Sequence, residues 1–245
     1  MTDTAATTLP SVRATRFEFE HRFWIICAIY FIGFSLSVFD HTPCVVALRH
    51  LIAPGSVQAD TFARIAIGIG ALLVFLSAAL RTWGAAYLRT AVVHDTAQHS
   101  EALVADGPFR YTRNPLYLGN LPMAAGIGIL ASVSGFIFLL LANWIFVYRL
   151  IFREEKALRQ TQGGSYRAYC EAVPRLWPSI RPRVPAGNYR PQWAQAFGGE
   201  SFVWVFGLAE LLVAITLRPL TALIAFPLGF VAHFVITRRI QKHTK

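Results

Sequence analysis

Residues 114–148, NPLYLGNLPMAAGIGILASVSGFIFLLLANWIFVY, run for 35 positions without one charged side chain. As a single helix at 1.5 Å per residue they would span roughly 50 Å, against a bilayer core of roughly 30 Å. The run therefore predicts two helices joined by a tight turn. Ser132-Val133-Ser134-Gly135 is the expected turn, because small polar residues and a glycine break a helix.

Four other apolar blocks lie at 23–39, 62–80, 202–217 and 220–237, giving expected crossings at 23–40, 62–82, 116–131, 135–153, 201–217 and 219–238. The composition agrees, with 55% hydrophobic residues, 15% charged residues and a mean hydropathy of +0.46. A soluble domain carries about 25% charged residues. The expected fold is all-α, a polytopic membrane helical bundle of about six transmembrane helices with a cytoplasmic-face cofactor pocket.

Charge sets the expected orientation. Of 23 lysines and arginines, all but Arg49, Arg64 and Arg218 fall on one side if the number of crossings is even. Cytoplasmic loops carry the excess of cations, so both termini are expected in the cytoplasm, with the protein multi-pass in a bacterial inner membrane. One unbroken helix over 114–148 would send the basic stretch 149–190 to the wrong side. The net charge of +10 is accounted for by loops facing anionic headgroups. No basic segment in a soluble region is interleaved with stacking aromatics, so no nucleic-acid partner is expected. Cys27, Cys44 and Cys170 are far apart and form no C-x-x-C, which argues against a disulfide framework or a zinc site; no metal ligands are assigned.

The first apolar run is followed by no A-x-A site and reads as an uncleaved anchor. The expected organisation is a polar N-terminal tail (1–22) forming an unstructured lead-in, two spans (23–82), a core (83–178) that includes the hairpin, a basic proline-rich connector (179–200), and a C-terminal hairpin with a basic tail (201–245).

Two polar segments flank the central hairpin. In 106–120, DGPFRYTRNPLYLGN, Gly107-Pro108 makes a turn and Asn114-Pro115 a second break. Pro115 suits the first turn of a helix, whose opening amides favour an anion. Arg113 adds a cation with fork geometry for a carboxylate. Tyr117, on that first turn, can meet a ring or a hydroxyl. An interfacial loop of aromatic anchors and arginines is an equal reading of the same residues. In 151–178, IFREEKALRQTQGGSYRAYCEAVPRLWP, Glu154 and Glu155 stand at the membrane boundary among cations. They form either a solvated helix end paired with Arg153 or Lys156, or a grip on a polar or cationic ligand. Ala157, Leu158, Tyr166, Tyr169 and Val173 follow helical spacing broken at Gly163-Gly164. That predicts two short amphipathic pieces in the interface, ended by Val173-Pro174, with Trp177 as an anchor. Glu210 and His233, at similar depth, are expected to pair and dock the last hairpin, or else to serve a transport path.

The ordered set Leu103-Val104, Gly107-Pro108-Phe109, Arg113-Asn114-Pro115-Leu116-Tyr117-Leu118-Gly119, Glu154-Glu155, Gly163, Tyr166, Tyr169 and Val173-Pro174 resembles the isoprenylcysteine carboxyl methyltransferase and phospholipid methyltransferase superfamily. The resemblance covers about 83–178. Four positions depart from the family pattern. The histidine before Leu-Val falls on Glu101, the histidine of R-H-P is Asn114, the tyrosine of G-P-Y is Phe109, and the arginine before Val-Pro is Ala172, although Arg175 follows.

The resemblance implies a membrane methyltransferase binding S-adenosyl-L-methionine between the strip 101–119 and the glutamate pair. The residues carried over are Glu101, Leu103, Val104, Gly107, Pro108, Phe109, Asn114, Pro115, Leu116, Tyr117, Glu154 and Glu155. Arg113 is expected to orient the acceptor or the cofactor carboxylate, with Tyr166, Arg149 and Arg167 as secondary candidates. The acceptor would be lipophilic, an isoprenylcysteine carboxylate, a phospholipid amine or a similar lipid, entering from the bilayer. Two other readings remain at this point. One is an NADPH-dependent membrane reductase of the sterol-reductase type, which has a related hairpin; the other is a non-catalytic lipid-binding or transport protein.

Overall fold

The computed structural model describes residues 12–55, 58–95, 105–187, 189–221, 224, 227–231 and 233–235. Its helices are α1 (Arg16–Glu20), α2 (Arg22–Ser35), α3 (Cys44–Ile52), α4 (Ala59–Asp95), α5 (Pro115–Gly128), α6 (Val133–Ala172) and α7 (Trp193–Thr216). Residues 220–235 are helical wherever they are described, and no strand forms among the described residues. α4, α6 and α7 contain stretches long and apolar enough to cross a membrane. The chain is therefore an all-α integral membrane bundle. α2 and α5 have 14 residues each, about 21 Å of helix, which is less than the hydrocarbon core.

The 35-residue apolar run folds as the hairpin it predicts. Its turn lies earlier than expected, at 129–132, between the end of α5 and the start of α6. Ser132 opens α6 instead of breaking a helix: its Oγ accepts the Gly135 N–H at 3.2 Å, an N-cap bond.

α6 corrects a second expectation. It runs straight past Glu154-Glu155 as far as Gly163, where non-helical backbone divides it into two helices, the second ending at Ala172. The Gly163 φ of +54° lies where side-chain-bearing residues are strained. The break falls at Gly163 as expected, but the first of the two interfacial pieces is continuous with the membrane-spanning helix. α4 likewise continues through 83–95, beyond the expected crossing at 62–82. Its 37 residues make about 55 Å of helix. Ala85 and Ala86 keep this extension packed, against Ala196 of α7 and Leu116 of α5.

α4 is the central element. It buries Ile67, Ala71, Val74, Ala78, Thr82 and Ala85 at three- and four-residue spacing, the repeat of one helix face. Small side chains on that face let neighbouring backbones approach closely. A Cβ added at Gly126 of α5 would sit 2.5 Å from the Gly70 carbonyl oxygen of α4. Leu72 on α4 and Leu208, Leu212 and Ile215 on α7 stay exposed, an apolar surface suited to lipid.

At one end of the bundle the α5–α6 turn binds the segment before α3. Cys44 N–H donates to Ala131 O at 2.9 Å, Val133 N–H to Thr42 O at 3.1 Å, and Ser134 N–H to the Asp40 carboxylate at 2.8 Å. Arg64 ties the same end, donating to the carbonyls of Ala214 and Ile215. The strip 106–114 and the segment 174–192 share the opposite end.

At that opposite end residues 12–22 are packed on the bundle, in contrast to the expected lead-in. Thr15 and Glu18 form a capping box on α1, and the Ala14 N–H donates to Arg149 O at 3.0 Å. Glu18 also pairs with Arg149 at 2.8 Å. The Arg149 guanidinium holds the Glu18 carboxyl below the ordinary carboxylate value. A depressed folded-state value gives stability that is present above the unfolded pKa and lost as pH falls through the folded one. Glu18→Gln is therefore expected to cost about 1 kcal/mol at neutral pH, lowering Tm by about 2–4 °C. Melting curves at pH 7 and in acid check this. The difference should vanish in acid, and a pH-independent difference would reject the pairing as its source.

Glu210 and His233 do not dock the last hairpin as a pair. The Glu210 carboxyl oxygens have no hydrogen-bond partner among the described residues, and His233 Nδ1 stands 3.1 Å from Ser201 Oγ.

Candidate active site

A cavity of about 410 Å³ lies at the polar end, between the strip, α6 and α2. Its size falls within the roughly 300–1,000 Å³ of small-molecule sites. The strip and the start of α5 contribute Phe109, Arg113, Asn114, Pro115, Leu116 and Tyr117; α6 contributes Glu154 and Tyr166. Residues 37 positions apart meet because the hairpin folds α6 back along α5. Tyr117 Oη donates to Glu154 Oε1 at 2.8 Å across that fold.

The strip is held in place from outside by residues 174–189. Arg113 N–H donates to Pro174 O at 2.9 Å, Thr112 Oγ1 to Leu176 O at 2.9 Å, and Asn114 Nδ2 to Arg175 O at 2.9 Å. Further along, the Asp106 carboxylate accepts from the N–H groups of Gly187 at 2.8 Å and Tyr189 at 3.3 Å. Tyr169 Oη closes the inner side with a 2.7 Å bond to Phe109 O. Asn114, where the family pattern has histidine, thus has a visible job: its amide joins the strip to the segment after Val173-Pro174.

Several expected site residues sit elsewhere. Glu155 does not line the cavity. It is 2% exposed and lies within 3.4 Å of three guanidinium groups, those of Arg113, Arg159 and Arg175. Arg149 is engaged by Glu18 and is not a lining residue. Arg167 is exposed. Gly107 and Pro108 form the turn beneath Phe109 without lining the cavity. Glu101, Leu103 and Val104 lie outside the described residues.

Other lining residues are ones that sequence patterns do not single out, among them Arg22, Arg81, Asn120 and Gln162. Asn120 does carry a signal, as an amide inside an apolar run, one turn beyond Tyr117. Arg81 resembled an ordinary boundary cation at the end of its apolar block.

The residues suit a small ligand bearing both charges. Arg113 is buried, and its Nε has no hydrogen-bond partner among the described residues. Its Nη1 is 3.2 Å from Glu155 Oε1 but outside hydrogen-bond geometry, so the pair attracts as charges while donors remain unsatisfied. A buried unsatisfied donor costs about 1–3 kcal/mol and calls for an acceptor. Glu154 offers a carboxylate, and the aromatic rings of Phe109 and Tyr117 offer faces for a planar group. An amino-acid end, ribose hydroxyls and an adenine are groups of this kind, so the set fits S-adenosylmethionine.

A second cavity, of about 480 Å³, abuts the first and shares Phe23, Ile26, Arg81 and Asn120 with it. The rest of its lining is largely apolar, including Phe31, Phe34, Met123, Ile127 and Phe206.

No curated protein and no solved structure matches the chain. The family model for phospholipid methyltransferase matches residues 65–163, from within α4 to the bend of α6. This stretch holds most of the polar cavity lining, and over it the chain is similar to the phospholipid methyltransferase family.

Proposed function

We propose that the protein transfers a methyl group from S-adenosylmethionine to a lipophilic acceptor that enters from the bilayer, with both termini and the donor cavity on the cytoplasmic side. The observation that carries this reading is the paired chamber. A polar cavity bearing Arg113 and Glu154 adjoins an apolar one of similar size.

In this reading Arg113 receives the donor's carboxylate with its unsatisfied N–H groups. Glu154 receives its ammonium or ribose hydroxyls, and Phe109 and Tyr117 flank the adenine. The donor supplies a methyl carried on a sulfonium; the acceptor's lone pair forms the new bond while the broken bond's electron pair stays on sulfur. No covalent nucleophile from the protein is required. Positioning two reactants accounts for several kcal/mol of barrier lowering. A low-water junction suits a step in which sulfonium charge disperses. We assign the catalytic core to 83–178, completed by α2 and by Arg81.

The test is transfer of tritium from methyl-labelled S-adenosylmethionine into the lipid extract of membranes containing the protein. Labelled lipid should appear only with the protein present, as a species 14 daltons heavier than its precursor. Folded protein that binds NADPH but not S-adenosylmethionine in calorimetry would overturn the reading.

A further inference from the structure

Arg81 stands where the two cavities meet. It lies on α4 inside a stretch apolar enough to span the membrane, yet it lines both chambers. Its Nε donates to Glu200 Oε2 of α7 at 2.7 Å, and its Nη1 to Asn120 Oδ1 of α5 at 2.5 Å. Both charged side chains are largely buried, at 16% and 9% exposure. Three helices thus fix one guanidinium. Glu200 and Asn120 are separated from it by 119 and 39 residues in sequence.

Such an arrangement is costly as mere scaffolding. A buried ion pair in low dielectric rarely recovers its full desolvation cost. Ionisable residues inside a membrane face a cavity and mark a functional site by default. A guanidinium carries five N–H donors in a rigid fork. Two are engaged by Glu200 and Asn120, which leaves three. The apolar chamber has few other polar groups in its lining, chiefly Asn120 and the Tyr30 hydroxyl. The chamber is therefore shaped for an apolar body whose one strongly polar end points at Arg81.

We propose that Arg81 is the docking point for an oxyanion on the lipophilic acceptor, a carboxylate or a phosphate held by the free N–H groups of its fork, while the acceptor's hydrocarbon fills the apolar chamber. This rests on the methyl-transfer reading, which it sharpens: the acceptor is an anionic lipid rather than a neutral one. Asn120 and Glu200 hold the fork in register, and Glu200 offsets its charge when no acceptor is bound. An Arg fork grips two oxygens of one group in a way a lysine ammonium does not.

The test measures binding of three tritiated single-chain probes to the full-length protein in detergent: oleate, oleoyl-lysophosphatidate and oleyl alcohol. Arg81→Gln should weaken the anionic probe that wild type prefers at least tenfold and leave oleyl alcohol within twofold. The carboxylate and phosphate arms show which oxyanion the site takes. Equal weakening of all three probes, or no weakening of either anion, overturns the proposal. Glu200→Gln is the second variant. It keeps the fork and removes the competing carboxylate, so anion binding should tighten; unchanged or weaker binding counts against the proposal. Saturating S-adenosylmethionine should leave anion binding to wild type intact, and displacement would reassign Arg81 to the donor. The two readings fail separately. Absence of S-adenosylmethionine binding removes the transfer reading while the Arg81 discrimination stands, and the reverse result removes only the role of Arg81.

Discussion

Glu154→Ala is expected to weaken S-adenosylmethionine binding at least about tenfold while leaving the fold intact. Tenfold corresponds to about 1.4 kcal/mol, and the loss of one charge-assisted hydrogen bond is worth about 1.5–3 kcal/mol. Glu154 faces the cavity, and Tyr117 engages one of its oxygens at 2.8 Å. Alanine removes the anion expected to meet the donor's ammonium or hydroxyls, and it frees the tyrosine hydroxyl as well. Tyr117→Phe separates the two effects. It keeps the carboxylate and removes only the bridging bond, so it should weaken binding less than Glu154→Ala does. Titration calorimetry on purified protein reads both. Wild-type affinity in Glu154→Ala would reject the assignment of the donor site.

The hairpin and the strip were legible because their signals are local. An uncharged run too long for one crossing forces a turn, and the two Pro-containing breaks at Gly107-Pro108 and Asn114-Pro115 sit in consecutive sequence. The far ends of α4 and α6 were less legible. Residues such as Arg81, Glu154 and Lys156 read as the polar edge of a membrane, and an edge suggests that a helix stops. Here the helices carry on beyond the apolar stretch, held by packing such as Ala85 and Ala86 on Ala196. The cluster of Arg81, Asn120 and Glu200 leaves no local pattern, because its members come from three helices. The sequence reading assigned arginines to headgroups by default. That default fits Arg181 and Arg183, which are exposed, and fails for Arg81, which turns inward as the candidate site residue Arg113 does. Arg175 also has a structural reason for its place after Pro174: its guanidinium reaches Glu155 at 3.1 Å.

The two adjacent glutamates should give opposite phenotypes. Neighbours on a helix point about 100° apart, so one can face the cavity while the other is buried behind it. Glu155 is the buried one, 3.2 Å from Arg113, 3.1 Å from Arg175 and 3.4 Å from Arg159. Its single negative charge holds together the strip, the far end of α6 and the segment after Pro174. Glu155→Ala leaves guanidinium groups partly buried with no counter-charge, a change that costs about 3–5 kcal/mol. Tm should fall on the order of ten degrees. Arg113 loses its fixed neighbour, so donor affinity should fall along with stability. Glu154→Ala, by contrast, should lose affinity with little change in Tm. Glu155→Gln keeps the shape and the acceptor oxygen, so it should lie between Glu155→Ala and wild type in Tm. Differential scanning fluorimetry of the purified protein, paired with calorimetry on the same samples, measures both axes. A Glu155→Ala protein that melts with wild type and binds S-adenosylmethionine normally would mean that the arginine cluster is held by something other than this carboxylate.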